Sequence, residues 1–142
     1  MTERSCGAVI FHGKKYLLLK YGWGHWGFVK GHTEGKESEE ETLWREVKEE
    51  TGIGREHLKK IDGFREKISY FYTKEGKRIY KEVVYFLVES DTMKVRLSFE
   101  HTAHEWLEYE EALKRITFDN DRNVLRKANE FLKSMDNSRN VP

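Results

Sequence analysis

Three glutamates, Glu46, Glu49 and Glu50, fall within little more than one helical turn of each other. On a helix advancing about 100° per residue, Glu50 lies roughly 40° and Glu49 roughly −60° from Glu46, so the three carboxylates share one sector. Leu43, Trp44 and Val47 fill the adjacent arc, which sets the acidic sector beside the buried stripe and not opposite it. Such like charges repel at i,i+3 and i,i+4 by roughly 0.2–0.5 kcal/mol per pair. The last turns of a helix also favour cations, by about 0.3–1 kcal/mol each. Hard divalent cations held by carboxylate oxygens would remove both penalties. A merely solvated acidic face is the competing reading, since surface charge costs little.

The elements that must carry this cluster are legible. A helix is predicted over Ser38–Glu50, with Ser38 and Glu41 at capping-box spacing and Gly52 where a C-terminal glycine cap belongs. Cys6–Phe11 and Tyr16–Leu19 read as strands of a hairpin turning at His12–Gly13. Ile61–Thr73 and Arg78–Glu89 read as two more strands joined by a turn at Lys74-Glu75-Gly76-Lys77, the second dense enough in apolar residues to be buried on both faces. His104–Tyr109 reads as a further strand with Trp106 inward, and Glu110–Ile116 as a short helical turn. A second long helix is predicted over Asn120–Met135, with Val124, Leu125, Ala128, Phe131, Leu132 and Met135 on one face and Asp119 or Asn120 as its cap. Strands and helices mix without a regular βαβ rhythm. This predicts an α+β fold, a mixed sheet with helices packed on it.

At 142 residues, the chain has length for one domain. Residues 1–135 are expected to form that domain and 136–142 a polar tail. A net charge of +1 argues against DNA, RNA or an anionic membrane as a partner gripped by overall charge, though a local patch of Arg65, Lys67, Lys77, Arg78 and Lys81 could touch RNA. No apolar run has the length of a membrane span, and the opening MTERSCG lacks the apolar stretch of a secretory signal. A lone cysteine, Cys6, excludes an internal disulfide and points to a reducing, cytoplasmic setting. Monomer and dimer stay equally open.

The order Gly31, Glu37, Arg45-Glu46, Val47, Glu49-Glu50, Gly52, Ile53 resembles the Nudix box of the Nudix hydrolases at every defined position. The resemblance implies an α/β/α sandwich, a mixed β-sheet between helices. It also implies a hydrolase that cleaves a diphosphate linkage with Mg²⁺ or Mn²⁺. It makes Gly31, Glu46, Glu49 and Glu50 the expected metal site, Glu46 and Glu50 catalytic, and Glu37 with Arg45 the pair that steadies loop and helix. Metal would neutralise phosphate oxygens and acidify water, while a carboxylate takes the proton.

CGAVIF, HWGFVKGH, YKEVVYFLV and LSFEHTAHEWL resemble segments of the asymmetrical diadenosine tetraphosphate (Ap4A) hydrolase branch. That implies hydrolysis of Ap4A with water to ATP and AMP. Glu100 matches an additional acidic metal ligand of the branch. Lys30 and Lys81 match basic positions able to hold phosphate oxygens. His25 matches a phosphate-proximal histidine, with a buried structural role nearly as well supported. Tyr70 and Tyr72 share one side of a strand and suit adenine stacking, with sheet packing at even weight. Phe118 is a weaker candidate for a second stacking surface, and Trp23 and Trp26 are expected beneath their loop, with exposure the alternative for Trp23, which stands among glycines. Animal members carry prolines before and within the box; here the residues are Gly27-Phe28-Val29 and Thr33-Glu34-Gly35. Alternative readings are a pyrophosphohydrolase of nucleoside triphosphates, RNA 5′ ends or ADP-ribose, or a non-catalytic nucleotide- or RNA-binding module of the same fold.

Overall fold

The computed structural model describes residues 2–139. Strands β1 (Thr2–His12), β2 (Lys15–Tyr21), β3 (Trp26–Gly27) and β4 (Val29–His32) lead into helix α1 (Glu39–Thr51). A 3-10 turn (Arg55–His57) precedes strands β5 (Leu58–Lys74) and β6 (Lys77–Ser90), then β7 (His101–Glu108) and helices α2 (Tyr109–Arg115) and α3 (Asp119–Arg139). The polar tail expected from Asp136 is helical as far as Arg139, and residues 140–142 lie outside the described part.

The sheet is mixed, in the order β3-β2-β1-β6-β5, with β4 also pairing β1 and β7 pairing β2. Strand β1 runs parallel to β6 from Thr2↔Tyr80 to Phe11↔Glu89. Its other edge is shared: β4 takes Ser5 to Ala8, and β2 takes only Phe11 and His12, next to the expected turn. The predicted β5–β6 turn forms with Glu75 and Gly76 both at positive φ, the twist a two-residue hairpin favours. Two short strands, β3 and β4, lie in the segment Trp26–His32, where no strand was expected.

Alternation along the strands divides two cores. Val9, Tyr16, Leu18, Val83, Tyr85 and Leu87 face α2 and α3, packing with Ile116, Val124, Leu125 and Ala128. Their neighbours Ala8, Ile10, Leu17, Leu19, Val84, Phe86 and Val88 face α1, packing with Leu43 and Val47. A sheet whose strands are apolar on both faces must be covered on both, which yields the expected sandwich. Trp106 packs against the α1 core, and its indole N–H donates to the Met93 carbonyl at 3.0 Å.

Helix α1 is bounded as its residues dictate. Ser38 Oγ accepts from the Glu41 backbone N–H and Glu41 Oε1 accepts from the Ser38 N–H, closing the capping box. Its C-cap, Gly52, sits at φ 72° and donates to the Lys48 carbonyl. The Thr51 carbonyl accepts from the Arg96 N–H at 2.8 Å, which pins the segment 91–100 to the helix end where Glu49 and Glu50 lie.

Replacing Gly52 with alanine forces a side chain into the left-handed region and brings its Cβ to 3.2 Å from Arg96 Cβ. The expected loss is about 1–2 kcal/mol of unfolding free energy, measured as a lower urea midpoint at unchanged slope.

Candidate functional site

Burial on one face brings Glu46 and Glu50 out of water at the end of α1, with 8% and 4% of their surfaces exposed. Glu46 achieves this by lying on Gly31 of β4. A Cβ built on Gly31 would stand 1.9 Å from Glu46 Cδ and 2.1–2.2 Å from its two oxygens. Only glycine leaves that seat open.

Arg45 organises the rest. Its Nε and Nη2 grip Glu37 Oε2 and Oε1 at 2.6 and 2.9 Å, and Nη2 also donates to the His32 carbonyl at 2.8 Å. Nη1 reaches Glu46 Oε1 at 2.7 Å and Glu49 Oε2 at 3.2 Å. The guanidinium and the Glu34 N–H hold the Glu37 carboxyl down at about 2. A bidentate fork of this kind fixes geometry as well as charge, joining the loop after β4 to the helix. The expected Glu37–Arg45 pair is therefore present, with Glu34 as a further neighbour at 3.6 Å.

Glu50 sits in a different balance. Burial, and then the Glu46 carboxylate beside it, push its carboxyl far above the ordinary range. Its Oε1 is 3.4 Å from the Lys30 backbone N–H and 3.4 Å from His101 Nε2. His101 is buried, its Nδ1 pairs with Ser98 Oγ at 3.1 Å, and its Nε2 has no hydrogen-bond partner. Burial, then His25, lower its pKa, so it offers Glu50 little positive charge.

A cavity of about 630 Å³ opens over this cluster, lined by Gly31, Glu46, Glu49, Glu50 and Glu100 with Lys30 and Lys81 at its side. All five residues expected at the metal thus share one cavity. Glu49 and Glu100 are exposed. Among the described residues no three such side chains are close enough to enclose an ion, and Glu46 and Glu49 both accept from Arg45. The carboxylate-rich donor set, the bare Gly31 seat and the buried Glu46–Glu50 pair nonetheless suit a hard divalent cation.

Lys30 and Lys81 also line a second cavity, of about 720 Å³, whose walls carry His25, Ile68, Tyr70, Tyr72 and Phe118. Burial, then Lys30, push Lys81 down, the state of an ammonium that an anion would stabilise. Lys30 Nζ approaches Tyr70 Oη at 3.5 Å and its ring centroid at 5.7 Å. Tyr72 donates to Glu3, which leaves its ring, 6.3 Å from that of Tyr70, free to line the cavity.

Other expectations change. Phe118 lies 5.3 Å from His25 and lines the same cavity as Tyr70 and Tyr72. His25 stacks on Tyr21 at 4.5 Å. Trp23 is 97% exposed at the tip of the turn after β2 and not beneath it, because the short turn closed by Gly24 N–H to the Tyr21 carbonyl offers no apolar floor. Trp26 does pack inward, under the Arg115 guanidinium. The proposed basic patch divides: Arg65 and Lys67 pair with Glu39 and Glu82, while Lys81 opens into both cavities. Sequence reasoning missed Tyr21, which lines both cavities and donates to the Phe28 carbonyl at 2.5 Å, and Asp121. Asp121 lies on the apolar stripe four residues before Leu125, a signal that could have found it.

Comparison with known proteins follows the geometry. A family model for the NUDIX domain matches residues 1–128. The chain is 36% identical to the bis(5′-nucleosyl)-tetraphosphatase [asymmetrical] of Sus scrofa, over 95% of this chain and 99% of that protein. It is 35% identical to the protein of the same description from Caenorhabditis elegans, over 93% and 98%. The crystal structure of a C. elegans Ap4A hydrolase binary complex superposes with a TM-score of 0.82 at 34% identity, covering 93% of this chain and 98% of that one. The E. coli dihydroneopterin triphosphate pyrophosphohydrolase shares the fold at a TM-score of 0.71 and 23% identity, over 87% and 92%.

Glu50→Gln replaces a buried carboxyl group that a cation would need with a neutral amide of similar shape. It is expected to leave the melting temperature of cation-free protein near that of the wild type at neutral pH and to abolish the rise that Mg²⁺ gives the wild type, both read by calorimetry. Gly31→Ala, which displaces the Glu46 carboxylate, is expected to abolish the Mg²⁺ response while the far-ultraviolet spectrum stays that of a folded protein.

Proposed function

The chain belongs to the Nudix family, and we propose that within it the protein hydrolyses dinucleoside tetraphosphates asymmetrically, Ap4A and water giving ATP and AMP. The observation that carries this reading is the pair of adjoining cavities, one acidic and one aromatic, that share Lys30 and Lys81. Such a site suits a ligand with a long anionic bridge and an aromatic end. The described helices hold no stretch long and apolar enough to cross a membrane. We place the enzyme in the cytoplasm, where its single buried Cys6 would stay reduced, and take residues 1–135 as the hydrolase domain.

Gly31, Glu46, Glu49, Glu50 and Glu100 would hold Mg²⁺ or Mn²⁺. Such a cation, when bound, neutralises phosphate oxygens and acidifies water. The chain's own groups do the remainder. Tyr70, Tyr72 and Phe118 seat one adenine in the aromatic cavity. Lys30, Lys81 and His25 hold the phosphates as they cross into the acidic one, where a point charge near non-bridging oxygens favours the transition state. Arg45 fixes Glu46 Oε1, which leaves Oε2 to accept the proton of the attacking water. Glu37 in turn keeps Arg45 in place. The water oxygen bonds to the phosphorus adjoining one adenosine, the bond from that phosphorus to the next bridging oxygen breaks, and ATP leaves AMP behind.

Chromatography of products from Ap4A in Mg²⁺-containing ¹⁸O water tests this directly. ATP and AMP are expected, with the label in AMP; two ADP, or label in ATP, would contradict the proposed attack. Glu46→Gln is expected to lower kcat by about 10²–10⁴-fold with the fold intact. Near-normal turnover in that variant would remove Glu46 from the role of proton acceptor.

A further inference from the structure

Two aromatic rings stand almost wholly in water, Trp23 and Phe99, with 97% and 96% of their surfaces exposed. Single exposed apolar side chains are common and mean little. These two are not scattered. Trp23 tips the turn after β2, and Phe99 tips the turn over residues 98–101 that enters β7. The Gly22 N–H ties the two turns together by donating to the Glu100 carbonyl at 3.1 Å. Each ring borders a different cavity, Trp23 the aromatic one and Phe99 the acidic one. The turn that carries Phe99 is held from several sides. The His101 N–H donates to the Ser98 carbonyl at 3.2 Å, the Glu100 N–H donates to Ser98 Oγ at 3.4 Å, and Ser98 Oγ pairs with His101 Nδ1 at 3.1 Å. The buried His101 ring packs edge-on against Tyr21 at 4.5 Å. A ring displayed on a backbone so restrained adds no burial to the fold, yet little ordering is lost when a ligand covers it.

What reaches this rim follows from the proposed hydrolysis. With one base in the aromatic cavity and the bridge passing Lys30 and Lys81, the phosphorus presented to the carboxylates lies at the far end of the bridge. It adjoins the second nucleoside, whose base then lies at the open margin of the acidic cavity. The lining there is otherwise charged or polar, save Gly31 and a Tyr21 ring already stacked on His25. We infer that Phe99 seats the second nucleoside: its ring stacks on the base beyond the cleaved phosphate linkage, forming a subsite for the half of the dinucleotide released as the nucleoside monophosphate. The role rests on the proposed nucleotide chemistry and adds to it a residue that recognises the leaving side of the substrate. A benzene ring presents a π face and no hydrogen-bonding group. The subsite therefore accepts any base and separates a dinucleotide from a mononucleotide carrying the same phosphate chain.

The test compares Ap4A with adenosine 5′-tetraphosphate, which keeps the phosphate chain and lacks the second nucleoside. Phe99→Ala is expected to lower kcat/KM for Ap4A about tenfold, through KM, the scale of one base stacked on one ring, and to spare adenosine 5′-tetraphosphate. Phe99→Trp, which keeps a stacking face, is expected to hold or raise the wild-type ratio between the two substrates. Equal change on both substrates, or no change on either, overturns the subsite. Equal loss joined to a change of oligomeric state in light scattering would overturn it too, and give the ring to an interface between copies. Equilibrium binding of both nucleotides, with methylene groups in place of the bridging oxygens, needs no turnover. It should show the same loss confined to the dinucleotide. That loss without hydrolysis of Ap4A would keep the subsite and reject the proposed activity. Hydrolysis of Ap4A to ATP and AMP, with Phe99→Ala matching wild type in rate and binding, would do the reverse.

Discussion

Two carboxyl groups are held nearly out of water, side by side at one end of one helix, and much of the molecule is arranged around that fact. Glu46 and Glu50 face each other at the C-terminal end of α1, where the helix dipole offers them no help. Such a pair is tolerated only with positive charge nearby. Arg45 supplies part of it, through a guanidinium tied at once to Glu37, Glu46, Glu49 and the His32 carbonyl. The missing side chain at Gly31 supplies the space. The residual imbalance is expressed in the raised Glu50 pKa.

Strand β1 connects this acidic end to the aromatic cavity. Its two edges carry β4 and β6 in fixed register, with Gly7 opposite Lys30 and Glu3 opposite Lys81. The two ammonium groups therefore come from different strands of one continuous sheet, not from loops. A rigid frame of this kind sets the distance between the two ammonium groups and the aromatic rings, and loops need only close the margins. Tyr21, at the end of β2, touches both cavities and stacks on His25, so its ring forms part of the wall between them.

What was legible in the sequence follows the range of the interactions. Helix α1 could be bounded almost to the residue because Ser38, Glu41 and Gly52 act within one turn of their own chain. The strands β1, β2, β5 and β6 were visible as apolar runs, and Tyr70 and Tyr72 as a same-side pair, because alternation is local. Strands β3 and β4 were hidden: each is short, contains glycine, and is made a strand only by pairing with β2 or with the more distant β1. The Arg45–Glu37 pair was reached through resemblance; the contacts of Arg45 with His32 and Glu46, which explain its rigidity, were not. Asp121 escaped notice because a polar residue near a helix start reads as a cap. Only the packing of α3 against Tyr85 turns it inward. Trp23 was misplaced because a large apolar ring is ordinarily buried, and the exposed turn that carries it breaks that rule locally.

Strand β5 closes one side of the sheet and is seventeen residues long, with no neighbour beyond it among the described residues. An open border of that length invites a second copy to add its own strand, the first step toward insoluble assemblies. Here Lys59, Lys60, Arg65, Lys67 and Lys74 punctuate it, and the register shifts between Lys60 and Arg65, where the ladder is broken. Two such borders brought together would fail to match at that irregularity. The same hairpin that carries Tyr70 and Tyr72 to the aromatic cavity thus also blunts the sheet's open edge.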